Sequence, residues 1–281
     1  MLIIRLSGGL GNQMFQYALY KSLKLSSKLV KLDLSYFDNY AVHQGYELEK
    51  VFSLKPDIAS KKEIKKFINW KNYFYNKIFR YKKNILEDTN RFNKTVFNMK
   101  YAYFDGTWIS EKYFYNFRDE IKNEFNFLPT HLNKNLKILK SIENSNSIAI
   151  HVRKKDYKKS YEHNVCFADY YLKSIEYFKK IVKNPTFFIF TDDQIWVETN
   201  LDTKKMNIIS ENKNENSYLD MMLMSKCKHN IISNSTFSWW SAYLNSNPQK
   251  IVLTPFIWFR SKDHCDMTPD NWIKIKFDIF N

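Results

Sequence analysis

The chain has 281 residues, of which 44% are hydrophobic and 17% aromatic, and its formal net charge is +15. This apolar content argues against disorder and suffices for one large domain or two small ones. Three widely spaced cysteines argue against a disulfide framework or a cysteine-rich zinc site and favour reduced thiols in the cytoplasm. No segment approaches the roughly 20 apolar residues of a membrane-spanning helix.

A β-α-β unit is predicted at the start of the chain. Leu2–Leu6 is the first strand, and the glycine-rich run Gly8-Gly9-Leu10-Gly11 follows it. Asn12 is the predicted N-cap of the next helix, whose apolar residues recur near the helical period. A second strand over Lys28–Leu34 completes the unit and implies a parallel sheet.

The glycine-rich run is a candidate ligand site, because glycine lets the backbone approach an anion and present N–H groups to it. The candidate contacts are Gly9, Gly11, Asn12 and Gln13. A tight turn without a ligand is the alternative, since one glycine-rich turn is a weak signal. Asp33 ends the second strand, where a dinucleotide-binding fold places its ribose-binding acid. An NAD(P)-dependent oxidoreductase is therefore an alternative function, although Met14 replaces the last glycine of that motif.

A basic segment follows at Lys61–Lys83, with nine Lys or Arg residues and a single acid, Glu63. Its aromatic residues fall on one face of a predicted helix. Such a helix either lies on an anionic membrane or an acceptor, or packs its apolar face inward and leaves a solvated basic face. Both interpretations stay open.

The second half of the chain repeats the strand–helix alternation. The polar stretch Glu143–Ser147 marks the predicted boundary between an N-terminal domain, 1–145, and a C-terminal domain, 146–281, whose last residues are expected to pack back on the first domain. Strands are predicted over Ser147–Val152, Phe187–Phe190, Met206–Ile209, Asn230–Ile232 and Ile251–Thr254. Helices are predicted over Ala168–Val182, Ser217–Ser225 and Thr236–Asn245. Two α/β domains are the simplest interpretation.

The first strand of this half runs into Ile150-His151-Val152-Arg153-Lys154-Lys155-Asp156-Tyr157. Ligands bind at the carboxyl ends of strands in open α/β sheets, and strand alternation puts His151 and Arg153 on one face. An arginine fork there can hold a diphosphate, and Asp156 can orient the arginine or accept a proton. A surface ion pair between Arg153 and Asp156 is the alternative.

A second polar run, Ser233-Asn234-Ser235-Thr236-Phe237, follows a strand and opens a helix, which is typical of an anion site. An ordinary N-cap would need only one of its hydroxyls. Thr191-Asp192-Asp193 also ends a strand but lacks the DxD spacing of metal-dependent sugar transferases. Asp263-His264-Cys265-Asp266 fits no zinc-ligand spacing, so no metal is expected.

Four blocks together resemble the bacterial α-1,2-fucosyltransferases of glycosyltransferase family 11. The run from Gly8 to Tyr17 resembles the start of these enzymes, and Ile150–Tyr157 matches their HxRxxDY signature. Asn230–Leu244 and Gly106–Phe114 resemble two further blocks, so the resemblance extends from residue 1 to about 260. Lys154 and Lys155 stand where the family usually has Arg and Gly, which keeps the first charge and alters the loop toward the acceptor.

The resemblance implies an α/β fold of the GT-B type, with two Rossmann-like domains facing across a cleft, the first for acceptor and the second for GDP-fucose. It implies a metal-independent, inverting galactoside α-1,2-fucosyltransferase without a cofactor. L-Fucose would move from GDP-β-L-fucose to the 2-hydroxyl of a galactose-terminated, lipid-linked glycan during bacterial surface polysaccharide synthesis. We expect a cytoplasmic enzyme, peripheral on the inner face of the membrane, with no nucleic-acid partner; the +15 charge is the argument for a nucleic-acid-binding alternative.

The resemblance also assigns residues. Arg153 contacts the donor diphosphate, and the neighbouring Lys154 helps to neutralise it. Asp220 is the positional match for the guanine-recognising aspartate. Asp156 is the first choice for the general base and His151 the second. The expected phosphate contacts are Ser235, Thr236 and Phe237.

Overall fold

The computed structural model describes residues 1–38, 44–68, 84–86, 91–261 and 266–278. They form two compact units: unit 1 contains Met1–Asn126 with Asp266 and Met267, and unit 2 contains the remainder. The division falls earlier than the predicted boundary at 145 and 146, because the helix Leu136–Glu143 packs within unit 2 and buries Leu139 and Ile142 there. The roles assigned to the two domains stay predictions.

Unit 1 is built on a parallel sheet. Its strands are β1 Leu2–Arg5, β2 Val30–Asp33, β3 Asn84–Leu86 and β4 Ala102–Asp105. Its helices are α1 Leu10–Leu25, α2 Leu48–Phe52, α3 Lys61–Ile68 and α4 Arg118–Glu124. The strand order is β2-β1-β4-β3, and all pairs are parallel. The predicted strand–glycine turn–helix–strand unit is therefore present.

Helix α1 begins earlier than predicted. Gly9 is its N-cap, and the backbone N–H groups of Asn12 and Gln13 both donate to the Gly9 carbonyl, at 3.0 and 3.1 Å. Asn12 consequently lies inside the first turn, and its assignment as the N-cap is wrong. Helix α1 begins after Gly9 without a side-chain cap, because glycine is tolerated at the N-cap position.

Only the first part of the basic segment Lys61–Lys83 lies within the described residues, as α3. Phe67 is buried against Ile3 and Tyr103 of the sheet, and its ring stacks on Tyr101 with centroids 4.3 Å apart. At this position the apolar face packs inward, as the core interpretation expects. Residues 69–83 lie outside the described residues, and membrane contact stays a prediction.

Unit 2 contains a larger parallel sheet. Its strands are β5 Asn146–Val152, β6 Pro185–Thr191, β7 Asn207–Ile209, β8 His229–Ile231, β9 Val252–Pro255 and β10 Ile273–Ile275. Its helices are α5 Pro129–Leu132, α6 Leu136–Glu143, α7 Ala168–Ile181, α8 Gln194–Asn200, α9 Tyr218–Lys226 and α10 Thr236–Leu244. Every second residue of β5 and β6 is buried in one hydrophobic cluster: Ile148, Ile150 and Val152 from β5, and Phe187 and Ile189 from β6.

The strand order of this sheet is β10-β9-β8-β5-β6-β7. The chain moves outward from β5 through β6 to β7, then returns to the other side of β5 and moves outward through β8, β9 and β10. This is a doubly wound, Rossmann-type order, whose direction reverses between β5 and β8. Ligands of such sheets bind beside the carboxyl ends of the strands at that reversal, so the loops after β5, β6 and β8 are the place to look for a site.

Across the described ranges, no helix combines the length and the apolar character that a bilayer span requires.

Candidate active site

Two neighbouring strands bring Arg153 and Asp192 together. The register of β5 on β6 pairs Val152 with Thr191, and Arg153 and Asp192 are the next residue of each strand. The arginine Nε lies 3.1 Å from Asp192 Oδ2, and its Nη2 donates to Asp156 Oδ2 at 2.5 Å. The ion pair with Asp156, which is the alternative interpretation of this motif, is therefore present, together with a second carboxylate. The arginine side chain is 33% exposed.

Asp192 is the residue of this cluster that sequence reasoning missed. Its Oδ1 accepts the backbone N–H groups of Lys154 at 2.8 Å and Lys155 at 3.2 Å. Its neighbour Asp193 does something else, because it caps α8 by accepting from the N–H of Trp196. The sequence contains a signal for this role, a carboxylate at the end of a strand, but the sheet register and not the local sequence places that strand beside the arginine strand.

Lys154 is buried and turned toward aromatic side chains. Its ammonium donates to Asn164 Oδ1 at 3.0 Å and lies 4.9 and 4.7 Å from the ring centroids of Phe167 and Trp196. The residue is 2% exposed, and this burial lowers the pKa of Lys154. Cation–π contacts of this kind stabilise a buried ammonium within the fold. Direct contact of Lys154 with a diphosphate stays a prediction.

His151 joins the ends of β5 and β8. Its Nδ1 lies 2.8 Å from Ser233 Oγ, and Ser233 Oγ lies 3.3 Å from Ser238 Oγ in α10. Burial, with the nearby charge of Arg153, lowers the pKa of His151 to about 3. The imidazole is therefore neutral near neutral pH and holds a proton weakly, which favours a positioning role over general-base catalysis.

The N-terminus of α10 lies directly after β8. Ser235 is its N-cap, and its hydroxyl accepts from the N–H of Phe237 at 3.3 Å. Thr236 and Phe237 are partly exposed at this helix end. The first-turn N–H groups and the helix dipole favour an anion here. The structure thus gathers the Arg153 and Ser235 motifs at one edge of one sheet.

Asp220 lies in the first turn of α9, and in a parallel sheet the helix before β8 also begins at the carboxyl edge. Its carboxylate accepts from Asn212 Nδ2 at 2.7 Å, and Asn212 Oδ1 accepts from Asn135 Nδ2 at 3.0 Å. Burial raises the pKa of Asp220 from 3.8 to about 7. Guanine recognition by this residue stays a prediction.

The glycine turn of unit 1 is stabilised by a buried amide. Gln13 is fully buried, and its Nε2 donates to the carbonyls of Gly8 at 3.0 Å and Gly45 at 2.8 Å. Its Oε1 accepts from the N–H of Glu47 at 3.0 Å. These three hydrogen bonds give the Gln13 side chain a structural role that does not require a ligand. Gly8 has a φ of +75°, and a Cβ there would lie 2.6 Å from Asn12 Nδ2, so the turn requires glycine.

The other residues of this turn that are predicted to contact a ligand differ in their exposure. Gly11 is buried inside α1, whereas Gly9 and Asn12 are partly exposed at its N-terminus. The N-terminus of α1 carries no acidic residue in its first turn. Donor contact by Gly9, Gly11, Asn12 and Gln13 stays a prediction.

Asp33 does not reach a surface where a ribose could bind. It is fully buried, and its carboxylate accepts from the Tyr103 hydroxyl at 2.7 Å and from the N–H of Ser35 at 2.8 Å. The NAD(P)-dependent oxidoreductase is therefore not favoured. Among the residues that the structure describes, no three His, Cys, Asp or Glu side chains are grouped to hold a metal ion.

Similarity to solved structures identifies the class of the fold. The chain superposes on the α-1,6-fucosyltransferase NodZ soaked with GDP-fucose, with a TM-score of 0.52 and 14% identity over 90% of this chain and 94% of that one. A variant of Arabidopsis thaliana FUT1 in complex with GDP gives a TM-score of 0.53 and 11% identity, over 96% and 72% of the two chains. The predicted α/β fold of the GT-B type is confirmed.

The family follows from the sequence itself. The family described as Glycosyl transferase family 11 matches residues 1–276, and the chain belongs to that family. It is therefore a glycosyltransferase, as the four sequence blocks indicated.

Three relatives illustrate the range of the family. An alpha-1,2-colitosyltransferase of Escherichia coli is 33% identical over 98% of this chain and 99% of its own length. The O-antigen biosynthesis glycosyltransferase WbnK of Escherichia coli is 34% identical over 96% and 99%. The mouse galactoside 2-alpha-L-fucosyltransferase Sec1 is 25% identical over 99% of this chain and 75% of that protein.

Proposed function

We propose that the chain is an inverting galactoside α-1,2-fucosyltransferase that uses GDP-β-L-fucose. The observation that carries this proposal is the partly exposed Arg153 side chain at the strand reversal, where doubly wound sheets bind ligands. An arginine fork and the N-terminus of α10 supply complementary positive potential for a diphosphate. Membership of family 11 supports transfer of a sugar, and the fucosyltransferase names of several relatives support fucose.

In the proposed reaction the acceptor hydroxyl oxygen forms a bond to C1 of fucose. The bond between C1 and the diphosphate oxygen breaks from the opposite face, and GDP leaves with the electron pair. The hydroxyl proton passes to a base, for which Asp156 is the first candidate because its carboxylate is 64% exposed. Arg153 and the helix N-terminus stabilise the charge that builds on the leaving diphosphate.

A second donor is favoured by one observation, the name of the colitosyltransferase relative. Colitose lacks the 3-hydroxyl of fucose, so the two donors differ by one hydrogen-bonding group. A site built to bond that hydroxyl rejects the deoxy sugar strongly, whereas a site without such a group accepts both.

The proposed acceptor is a galactose-terminated glycan, lipid-linked in bacterial surface polysaccharide synthesis. Two of the relatives support it by their names, one for O-antigen biosynthesis and one for galactoside as the acceptor. The proposed location is the cytoplasm, at the inner face of the membrane.

A donor screen tests the proposed function. Purified protein is incubated with a lactose-type acceptor and with GDP-fucose, GDP-colitose, GDP-mannose or UDP-galactose, each in magnesium and in excess EDTA. We expect transfer from GDP-fucose in both conditions, and an α-1,2 linkage in the product by NMR. Transfer from another nucleotide sugar but not from GDP-fucose would replace the proposed donor. Loss of activity in EDTA, restored by a divalent ion, would overturn metal independence.

A further inference from the structure

Two aspartates contact Arg153, and they are held very differently. Asp192 is 18% exposed and makes three contacts, one with Arg153 Nε and two with the backbone N–H groups of Lys154 and Lys155. Asp156 is 64% exposed, and its contact is with Arg153 Nη2. One carboxylate is therefore fixed to the backbone that carries the arginine, and the other is not.

The fixed carboxylate follows from the sheet. Asp192 directly follows the strand residue Thr191, which pairs with Val152, so the two strand ends set its distance from Arg153. Its Oδ1 secures the turn after β5, which leaves Oδ2 facing Nε of the arginine. The contact is an ion pair at 3.1 Å and not an aligned hydrogen bond, so Asp192 restrains the planar guanidinium by its charge and its fixed position beside Nε.

The exposed carboxylate is weakly held by comparison. An exposed ion pair between residues three apart in sequence contributes little to the stability of the fold, because water and salt screen it. A diphosphate offers more acceptor oxygens and more negative charge to the same nitrogen. Among the described residues, Arg153 Nη1 has no hydrogen bond or ion pair, so the incoming diphosphate would compete with Asp156 for Nη2 alone.

We infer that Asp192 positions the Arg153 guanidinium for the donor, and that Asp156 is a temporary partner which the donor diphosphate displaces. This inference rests on the proposed function. Once displaced, the Asp156 carboxylate is free to accept the acceptor proton, so the base becomes available only after the donor has bound.

Calorimetric titration with GDP tests the division of roles. Asp192→Asn keeps the Oδ1 acceptor for the two backbone N–H groups but loses the charge that holds Nε, and should weaken GDP about tenfold. Asp156→Asn removes the competitor and should strengthen GDP about two- to fivefold. Asp193→Asn is the matched control, because it removes the same charge one residue further along and asparagine also caps a helix. It breaks the ion pair with Lys158 but no contact of Arg153, so it should leave GDP affinity unchanged.

Repeating the titrations in an Arg153→Ala background separates positioning from folding. We expect Asp192→Asn and Asp156→Asn each to change GDP affinity less than about twofold there, because their effects act through the arginine. An unchanged tenfold loss for Asp192→Asn in that background would make Asp192 merely structural. Weaker GDP binding by Asp156→Asn would refute its role as a competitor, and this exposed position tests the inference even if the Asp192 variant folds poorly.

The two proposals fail in distinguishable ways. If the unmodified protein does not bind GDP, the proposed function falls and the inference with it. If it binds GDP and transfers fucose while both aspartate variants behave like the parent, only the inference falls.

Discussion

Arg153 is the residue on which the site depends most. Its fork can bond two diphosphate oxygens, and these bonds should strengthen as the leaving group gains charge. We expect Arg153→Ala to lower kcat/KM by at least about 10³, which corresponds to roughly 4 kcal/mol of transition-state stabilisation. Arg153→Lys should recover little, because an ammonium cannot reproduce the planar fork.

The comparison requires variants that fold like the parent, checked by circular dichroism and melting temperature. Transfer of fucose by folded Arg153→Ala within about tenfold of the parent rate would place the diphosphate elsewhere. The N-terminus of α10 at Ser235 would then be the next region to examine.

Asp220 predicts a pH dependence of GDP binding. Its pKa of about 7 means that much of the carboxyl is protonated at neutral pH, whereas an ionised carboxylate can accept from guanine N1–H and N2–H₂. GDP affinity should therefore fall as pH drops from about 8 to 6, with proton release on binding. Calorimetry in two buffers of different ionisation enthalpy measures that release.

The stability of the protein should change in the opposite sense. The folded pKa lies above the ordinary value of 3.8, so the contribution of Asp220 to stability is complete below the ordinary value and is lost as pH rises through about 7. Asp220→Asn should remove both dependences and weaken GDP, while the exposed Asp202→Asn should leave them intact. Unchanged GDP affinity in Asp220→Asn at every pH would make Asp220 structural.

At the scale of the element, the start of α1 shows how a motif can serve the fold. Gln13 supplies both donors and its acceptor to Gly8, Gly45 and Glu47. Gln16 acts similarly, accepting from the N–H of Ser7 at 2.9 Å and donating to the Gly106 carbonyl at 2.8 Å. Two amides thus satisfy the backbone groups that a glycine turn leaves without secondary-structure partners.

Replacement of Gln13 by alanine should therefore cost stability. It would leave two partly buried carbonyls and one buried N–H without this partner, and we expect the free energy of unfolding to fall by about 2 kcal/mol. Gln194→Ala, at an exposed position of α8, is the control and should change it by less than about 0.5 kcal/mol. Urea denaturation measures both. A stable Gln13→Ala variant with weakened GDP binding would instead make Gln13 a ligand contact.

The central elements could be predicted from sequence because local patterns determine them. The strands β1, β5 and β6 are short apolar runs between polar turns, and α7 and α10 lie within a residue of their predicted ends. Strands β3, β4 and β10 were missed, because their pairing is set by distant partners such as β1 on β4. Asp192 was missed for the same reason, since its partner Arg153 is adjacent through strand register rather than sequence.

At the scale of the molecule, the net charge of +15 is distributed over both units. Four lysines on α3, Lys61, Lys62, Lys65 and Lys66, are exposed while Phe67 is buried. Replacing these four by glutamine should reduce co-sedimentation with anionic vesicles about tenfold, and added salt should do the same.

A control of equal charge comes from unit 2, where Lys173, Lys179, Lys180 and Lys183 are exposed. Their replacement by glutamine should leave vesicle binding unchanged. Equal losses in the two variants would show that only total charge matters. If the parent does not bind anionic vesicles, membrane contact by α3 is refuted and its role is core packing.

The pairing of β1 with β4 and the contacts of Asp266 have a consequence for synthesis on the ribosome. β1 can pair with β2 early, but its other edge stays open until Ala102–Asp105 has emerged. Asp266 then accepts from the N–H of Phe92 at 2.8 Å and pairs with Lys112, so unit 1 receives these contacts only after residue 266 has been synthesised. A nascent chain stalled near residue 126 should therefore be more sensitive to protease in unit 1 than the released protein.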